Sequence, residues 1–193
     1  MHKGRLEAFS DGVIAVIITI LVLELRAPHG ADWSAVMPLI PAFVSYVLSF
    51  LYLGIYWSNH HHLLQAASHV NGAVLWANLH ILFWLSLIPF VTGWMGENEF
   101  ATLPVAVYGF DLVMTALAYY ILERTLIAAQ GKESRLKMAV GAEIKGWVSV
   151  ALYVVGILAA FLWTQWVSLG LYGFVALMWL VPDRRIERAL NRG

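Results

Sequence analysis

Residues 5–25 read RLEAFSDGVIAVIITILVLEL, a segment in which a short charged opening runs into an almost unbroken apolar stretch. About 20 mainly apolar residues are enough for an α-helix to cross the hydrocarbon core of a bilayer. The apolar run carries Asp11 and Glu24, and no small-residue cleavage site follows it. We therefore interpret the segment as a retained first membrane span rather than a signal peptide.

The rest of the chain is also mainly apolar. Of its 193 residues, 61% are hydrophobic and 12% are charged, and the mean hydropathy is +0.73. Soluble domains are about half apolar and a quarter charged. We expect an all-α, polytopic membrane protein that forms one domain over residues 1–193. The six predicted spans are residues 6–25, 36–57, 73–95, 101–122, 147–163 and 166–181.

The distribution of positive charge predicts the orientation, because loops rich in lysine and arginine stay in the cytoplasm. With both termini inside, only Arg26 of the 12 basic residues lies outside. An even number of spans preserves this asymmetry, so we expect a cell-membrane protein with both termini cytoplasmic. The basic residues on the inner side are Lys3, Arg5, Arg124, Lys132, Arg135, Lys137, Lys145, Arg184, Arg185, Arg188 and Arg192.

The net charge and the cysteine content of the chain exclude several kinds of partner and site. The formal net charge is zero, which gives no basis for nucleic-acid binding. The chain has no cysteine, so disulfides, thiolate metal sites and a cysteine nucleophile are excluded.

Polar side chains within membrane spans are costly and usually face protein or water. In the predicted topology, several of them fall in the cytoplasmic third of the first three spans, where they could form one network. Two interpretations stay open: a packing clasp, or a network that also shapes a pore or responds to pH, since histidine titrates near physiological pH. These residues are Arg5, Asp11, His60, His61, His62, Asn71 and Asn78.

The triple histidine also suggests a metal site. Adjacent residues of a helix point about 100° apart, so His60, His61 and His62 cannot all bind one ion from a regular helix. Only His69 and His80 are nearby, and they do not form a second cluster. We expect no metal site and no cofactor.

One face of the first span has a regular pattern. Gly12, Val16, Thr19 with Ile20, and Leu23 recur at spacings of three and four residues, so they line one stripe of a helix. The stripe is small and apolar, with one hydroxyl group. It is either a helix-packing face or the wall of a pore, because an apolar constriction can gate a channel by dewetting.

The opening of this helix resembles the signature of the transmembrane protein 175 family, the lysosomal potassium channels and their bacterial relatives. In that signature an arginine is followed, after three residues, by Phe-Ser-Asp, and Arg5, Phe9, Ser10 and Asp11 match it. The segment YWSNHHH at residues 56–62 is similar to the end of the family's second helix. Two parts of the third span are similar to the family's third helix. They are the segment from NL at residues 78–79 to LF at residues 82–83, and SLIPF at residues 86–90. The resemblance covers residues 5–92 and rests on hydropathy beyond them.

The resemblance implies a potassium-permeable channel in which the first helices of a homotetramer surround the pore. Transferred position by position, the family's hydrophobic constriction falls on Val16, Ile20 and Leu23, and its threonine ring falls on Thr19. Val16 is smaller than the isoleucine or leucine often found at the first constriction position. The predicted structural or gating network comprises Arg5, Phe9, Ser10, Asp11, Trp57, His60, His61, His62 and Asn78. The expected partners are potassium ions, the bilayer and other copies of the chain.

Two other classes of function fit the sequence less well. A proton-coupled secondary transporter would use Asp11, Asp111 and His80, but the sequence shows neither an internal repeat nor a pair of broken helices. A membrane enzyme would need a motif such as Gly-x-Ser-x-Gly or His-Glu-x-x-His, and neither is present. For Asp111 we expect a hydrogen bond to a neighbouring helix.

Overall fold

The structure, a computed structural model, describes residues 3–130 and 144–180, and every regular element in them is helical. A 3-10 turn (Val22–Glu24) extends the first helix, and another (Met37–Leu39) joins the second to the third. The helices are α1 (Lys3–Leu21), α2 (Trp33–Val36), α3 (Ile40–Ala66), α4 (Gly72–Glu97), α5 (Thr102–Gln130), α6 (Ile144–Leu162) and α7 (Gln165–Leu180).

The predicted all-α membrane architecture is confirmed. Five helical segments of the described chain are long and apolar enough to cross a membrane, and α7 is a shorter apolar helix of 16 residues. Two helices extend beyond the predicted spans: α3 continues past Trp57 to Ala66, and α5 continues past Leu122 to Gln130. Hydropathy detects the part of a helix that faces lipid, whereas the polar residues that follow can still continue the helix. Val181 and seven of the basic residues assigned to the inner side lie outside the described residues: Lys132, Arg135, Lys137, Arg184, Arg185, Arg188 and Arg192.

Helix α4 lies at the centre of the bundle and packs against α1, α3 and α5. Helix α5 also packs against α6, and α6 and α7 form a hairpin in which α7 additionally contacts α3 and α5. At Gly96 the helices α3 and α4 approach so closely that a Cβ atom would lie 2.6 Å from the Cα atom of Ala42. This position requires glycine, since any side chain would push the two helices apart.

A chain of hydroxyl groups joins α3, α4 and α5 in the middle of the bundle. Thr92 donates its proton to the carbonyl oxygen of Ile88 (2.6 Å), so its oxygen accepts from Ser49 (2.6 Å). Ser49 in turn accepts from the hydroxyl of Tyr108 (3.0 Å). Each of these buried hydroxyls therefore has a donor or acceptor partner, as buried polar groups require.

Helix α1 lies at the edge of the bundle, with α3 and α4 as its main neighbours. The face that packs against them consists of five buried residues at spacings of three and four. In a membrane, such a face is held by close van der Waals packing and hydrogen bonds rather than by exclusion from water. These residues are Leu6, Ser10, Ile14, Ile17 and Leu21.

Candidate functional site

The outward face of α1 carries a continuous exposed stripe. Val16 is 55% exposed, Ile20 43% and Leu23 74%, and Gly12 and Thr19 are exposed beside them. The Thr19 hydroxyl donates to the carbonyl oxygen of Val16 (2.8 Å), so only its lone pairs remain available to an ion or water. All the residues predicted for the constriction thus lie on the exposed side of α1, or, in the case of Leu23, of the 3-10 turn that extends it.

A single chain does not enclose a path along this stripe. A Cβ atom added at Gly12, the first residue of the stripe, would meet nothing within 4 Å, so the stripe is open at this end. The stripe therefore faces either lipid or other copies of the chain. Closed cyclic symmetry would bring identical stripes together around one axis.

A buried chain of hydrogen bonds holds the N-terminal half of α1 against α4 and α3. Ser10 donates to the carbonyl oxygen of Leu6 (2.9 Å), so its oxygen accepts from the amide nitrogen of Asn78 (2.9 Å). The amide oxygen of Asn78 lies 2.7 Å from Nε2 of His60. A carbonyl oxygen only accepts, so His60 must carry its proton on Nε2. The hydrogen bonds are therefore all donated in the same direction, from His60 on α3 to Asn78 on α4, and from Asn78 to Ser10 on α1.

A second, more exposed group of side chains joins α1 to α3. The indole nitrogen of Trp57 donates to Oδ1 of Asp11 (3.0 Å). The ring of His61 stacks on Trp57 with centroids 6.0 Å apart, and His62 lies edge-on to His61. Nδ1 of His61 lies 3.6 Å from a carboxylate oxygen of Glu7, an ion pair when the histidine is protonated.

The single network predicted from the sequence is therefore divided into these two groups, and some predicted members lie outside both. Arg5 and Phe9 are exposed, and Arg5 forms no ion pair within the described chain. Including Asn71 was wrong, because its side chain accepts a hydrogen bond from the backbone nitrogen of Val74 (3.0 Å) as the N-cap of α4. Asparagine directly before an apolar helix is a typical capping residue.

Two residues that sequence reasoning missed anchor the loop between α3 and α4. Lys3 donates to the carbonyl oxygens of Gln65 (2.8 Å) and Ala67 (3.0 Å). Gln130 donates to the carbonyl oxygen of His69 (2.8 Å) and accepts from the backbone nitrogen of Ser68 (2.8 Å). A lysine at a helix C-terminus is a favourable arrangement, but the sequence gives no signal of which helix end Lys3 reaches. The first residues of α1 are thus tied to the end of α3.

Asp111 differs from the prediction made for it. Both of its carboxylate oxygens are buried without a hydrogen-bond partner in the described structure, and so is the hydroxyl of Thr115 one turn later. The expected bond to a neighbouring helix was wrong. A buried polar group without a partner destabilises the fold by about 1–3 kcal/mol.

We expect Asp111→Leu and Thr115→Val to raise the melting temperature of the detergent-solubilised protein by a few degrees each, because each removes unpartnered polar atoms. Thr125→Val is the matched control, since the Thr125 hydroxyl donates to the carbonyl oxygen of Ile121 (2.7 Å) on the same helix. It should not raise the melting temperature. A lower melting temperature in both test variants would mean that these groups have partners in the assembled protein.

The fold and the exposed helix face define a class of protein: a polytopic α-helical membrane protein with one helix at its edge whose outward face is exposed. Comparison with known proteins gives the family. The family model described as endosomal/lysosomal potassium channel TMEM175 matches residues 5–89. The chain belongs to the TMEM175 family, as the resemblance of its first helix predicted.

The relatives support this assignment over the whole chain. A protein named as a potassium channel from Chryseobacterium sp. (strain P1-3) is 53% identical over 191 residues, which cover 99% of each chain. Another named as a potassium channel, from Streptomyces collinus, is 36% identical over 63% of each chain. The crystal structure of a lysosomal potassium-selective channel TMEM175 homolog from Chamaesiphon minutus superposes with a TM-score of 0.81 at 25% identity, covering 93% of this chain and 96% of that one. This is a family of ion channels, so the prediction that the chain is not an enzyme is confirmed.

Proposed function

We propose that this chain is the single-domain subunit of a homotetrameric potassium channel in which four copies of α1 surround the pore. The observation that carries the proposal is the stripe of α1 and its 3-10 extension, which lies outside the packed face of the helix and is exposed along its length. The relative that is 53% identical over nearly the whole chain is named as a potassium channel. Potassium ions, the bilayer and other copies of the chain are therefore the proposed partners.

The proposed constriction consists of apolar rings at Val16, Ile20 and Leu23, with the Thr19 hydroxyls between the first two. The sequence contains no Thr-Val-Gly-Tyr-Gly filter whose carbonyl oxygens could replace the hydration shell of an ion. Selection between ions must then depend on how readily each loses water in a narrow apolar ring. Potassium is more easily dehydrated than sodium, so such a ring favours potassium.

The two polar groups at the inner end are proposed to fix the position of α1. The buried chain of Ser10, Asn78 and His60 holds its packed face, and the Asp11–Trp57 bond holds the edge nearer the stripe. Together with the neighbouring side chains, they form the proposed structural or gating network. The further members are Arg5, Phe9, His61 and His62.

The proposed orientation in the cell membrane places both termini in the cytoplasm. Arg26, the one basic residue assigned to the outside, pairs with Glu97 at the end of α4 (2.7 Å). Lys3, assigned to the inside, reaches the end of α3. These contacts are consistent with α1 and α4 running in the same direction and α3 in the opposite one, as the assignment requires.

Single-cysteine cross-linking tests the assembly, because the natural chain has no cysteine. We expect Val16→Cys in membranes to form covalent dimers on oxidation or with a short bifunctional thiol reagent, since four copies would bring this position together. Val155→Cys on α6 is the matched control, because Val155 is 51% exposed but lies on a helix away from α1. Equal cross-linking at the two positions, or none at Val16→Cys, would rule out a pore lined by α1.

A further inference from the structure

A cavity of about 120 Å³ lies between α3, α5, α6 and the end of α7. Along α6 its lining extends from Lys145 to Tyr153, a length of about 12 Å at 1.5 Å per residue. Trp147, which also lines it, is 54% exposed, so the cavity adjoins the surface at the start of α6. An engineered apolar cavity of about 150 Å³ is large enough to bind benzene. The space therefore suits a ligand of about one six-membered ring.

The walls of the cavity consist mainly of aromatic rings. The rings of Tyr52 and Tyr153 meet edge to face, with centroids 6.2 Å apart. The hydroxyl of Tyr52 donates to the carbonyl oxygen of Tyr172 (2.6 Å). That of Tyr119 donates to the carbonyl oxygen of Asn59 (3.3 Å). These two hydroxyl protons are therefore taken up by the backbone, and the cavity is left mainly with carbon. The aromatic and aliphatic residues that line it are Tyr52, Ile55, Tyr56, Ala116, Leu117, Tyr119, Tyr120, Trp147, Val150, Tyr153 and Trp179.

The charged and polar residues of the lining already have partners. Glu123 and Lys145 both interact with other groups of the described chain. The hydroxyl of Ser149 donates to the carbonyl oxygen of Lys145 (2.8 Å) and accepts from the indole nitrogen of Trp179 (2.9 Å). A charged ligand would lose its water here without gaining a free counter-charge, and such a transfer is costly. The lining therefore favours an uncharged ligand.

We propose that this cavity binds a small uncharged aromatic molecule about the size of benzene. Such a molecule fits the volume and meets carbon on most sides. Against the tyrosine rings it adopts the edge-to-face or offset packing that aromatic pairs prefer. A saturated ring of similar size fills the same space but lacks this interaction between rings. The cavity therefore selects the aromatic ligand over the saturated one.

The cavity shares helix α3 with the groups that hold α1. Helix α3 contributes Tyr52 and Tyr56 to the lining, and from other positions it contributes Trp57 and His60 to hydrogen bonds with α1 and α4. A ligand bound between α3, α5 and α6 would therefore support the position of α3 and, through it, the pore helix. This last step rests on the proposed channel function, whereas binding itself does not.

Binding is tested on the full chain in detergent, by ¹⁹F NMR of fluorobenzene and by the shift in melting temperature with benzene. We expect benzene to bind severalfold more tightly than cyclohexane, and at least tenfold more tightly than benzylammonium or benzoate. Ala116→Leu adds three carbon atoms to the lining and should weaken benzene binding about tenfold. Ala128→Leu, at an exposed position of α5, should leave it unchanged and corrects for benzene taken up by the micelle.

A change in the opposite direction keeps the test decisive if Ala116→Leu folds poorly. Ile55→Ala removes three carbon atoms from the lining and should shift the preference from benzene toward naphthalene. Undiminished benzene binding by a folded Ala116→Leu, or an unchanged preference in Ile55→Ala, would overturn the location. Equal binding of benzene and cyclohexane would overturn the selection of an aromatic ligand. Benzylammonium or benzoate bound as tightly as benzene would overturn the uncharged ligand, and no saturable benzene binding would overturn the site.

The link between the cavity and the pore helix is tested separately, by potassium flux into liposomes with and without benzene. A change of flux in the natural chain that is absent in Ala116→Leu would support the link. An unchanged flux with intact binding would overturn the link alone. A chain that binds benzene but conducts in neither condition refutes the proposed channel, not the binding site.

Discussion

Replacing Ile20 or Leu23 by alanine is expected to raise potassium flux severalfold and to reduce the preference for potassium over sodium. Each substitution shortens an apolar side chain in the proposed constriction, so that an ion passes while keeping more of its water. Neither side chain belongs to the core of the subunit, since Ile20 is 43% exposed and Leu23 74%. The fold should therefore be unaffected. Flux into liposomes under potassium and sodium gradients measures both effects.

The matched controls for this experiment lie on helices away from α1. Ile121→Ala on α5 removes an isoleucine that is also 43% exposed, and Leu162→Ala at the end of α6 removes a leucine that is 81% exposed. Both should conduct like the natural protein. If Ile20→Ala and Leu23→Ala also leave flux and selectivity unchanged, the proposed constriction is wrong. Slow, saturable exchange in place of current that follows the gradient would instead favour the transporter.

The sequence predicted the helical architecture well, because apolar stretches of spanning length are the dominant signal in such a chain. It predicted helix ends less well. The predicted second span ends at Trp57, yet α3 continues through His60, His61 and His62 to Ala66. Polar residues mark where lipid contact ends, whereas the helix ends only where the backbone turns to an extended conformation, as at Ala67 after α3.

The candidate site was predictable to the extent that it depends on the periodicity of one helix. The stripe of Val16, Ile20 and Leu23 follows from spacing, and the structure places it on one exposed face. The division of the polar residues into two groups was not predictable. Whether an α3 side chain bonds to Asp11 on α1, as Trp57 does, or to Asn78 on α4, as His60 does, depends on how the three helices are rotated relative to one another. The unpartnered carboxylate of Asp111 shows the same limit.

Asn78→Leu is expected to have the largest effect on stability. Asn78 joins Ser10 of α1 to His60 of α3, and all three side chains are fully buried. Leucine has a similar size but neither donates nor accepts, so the Nε2 proton of His60 loses its acceptor and Ser10 loses a donor. Loss of these bonds and one unsatisfied buried donor together should lower the free energy of unfolding by about 2–4 kcal/mol. Titration with a denaturing detergent or urea measures it.

Two further variants separate the hydrogen-bonded chain from a general effect of the substitution. Asn98→Leu changes the same residue type at the exposed end of α4, where the amide donates to the carbonyl oxygen of Trp94 (2.8 Å). This substitution should alter the unfolding free energy by less than about 0.5 kcal/mol. The double variant His60→Phe with Asn78→Leu removes both partners of one bond and should be less destabilised than the sum of the single variants, because the unsatisfied donor is gone. Strict additivity, or an Asn78→Leu effect no larger than that of Asn98→Leu, would mean that the buried chain does not hold α1. If the hydrogen bonds among Ser10, Asn78 and His60 do hold α1, then potassium flux should fall together with stability in the Asn78→Leu variant. It should recover in part in the double variant.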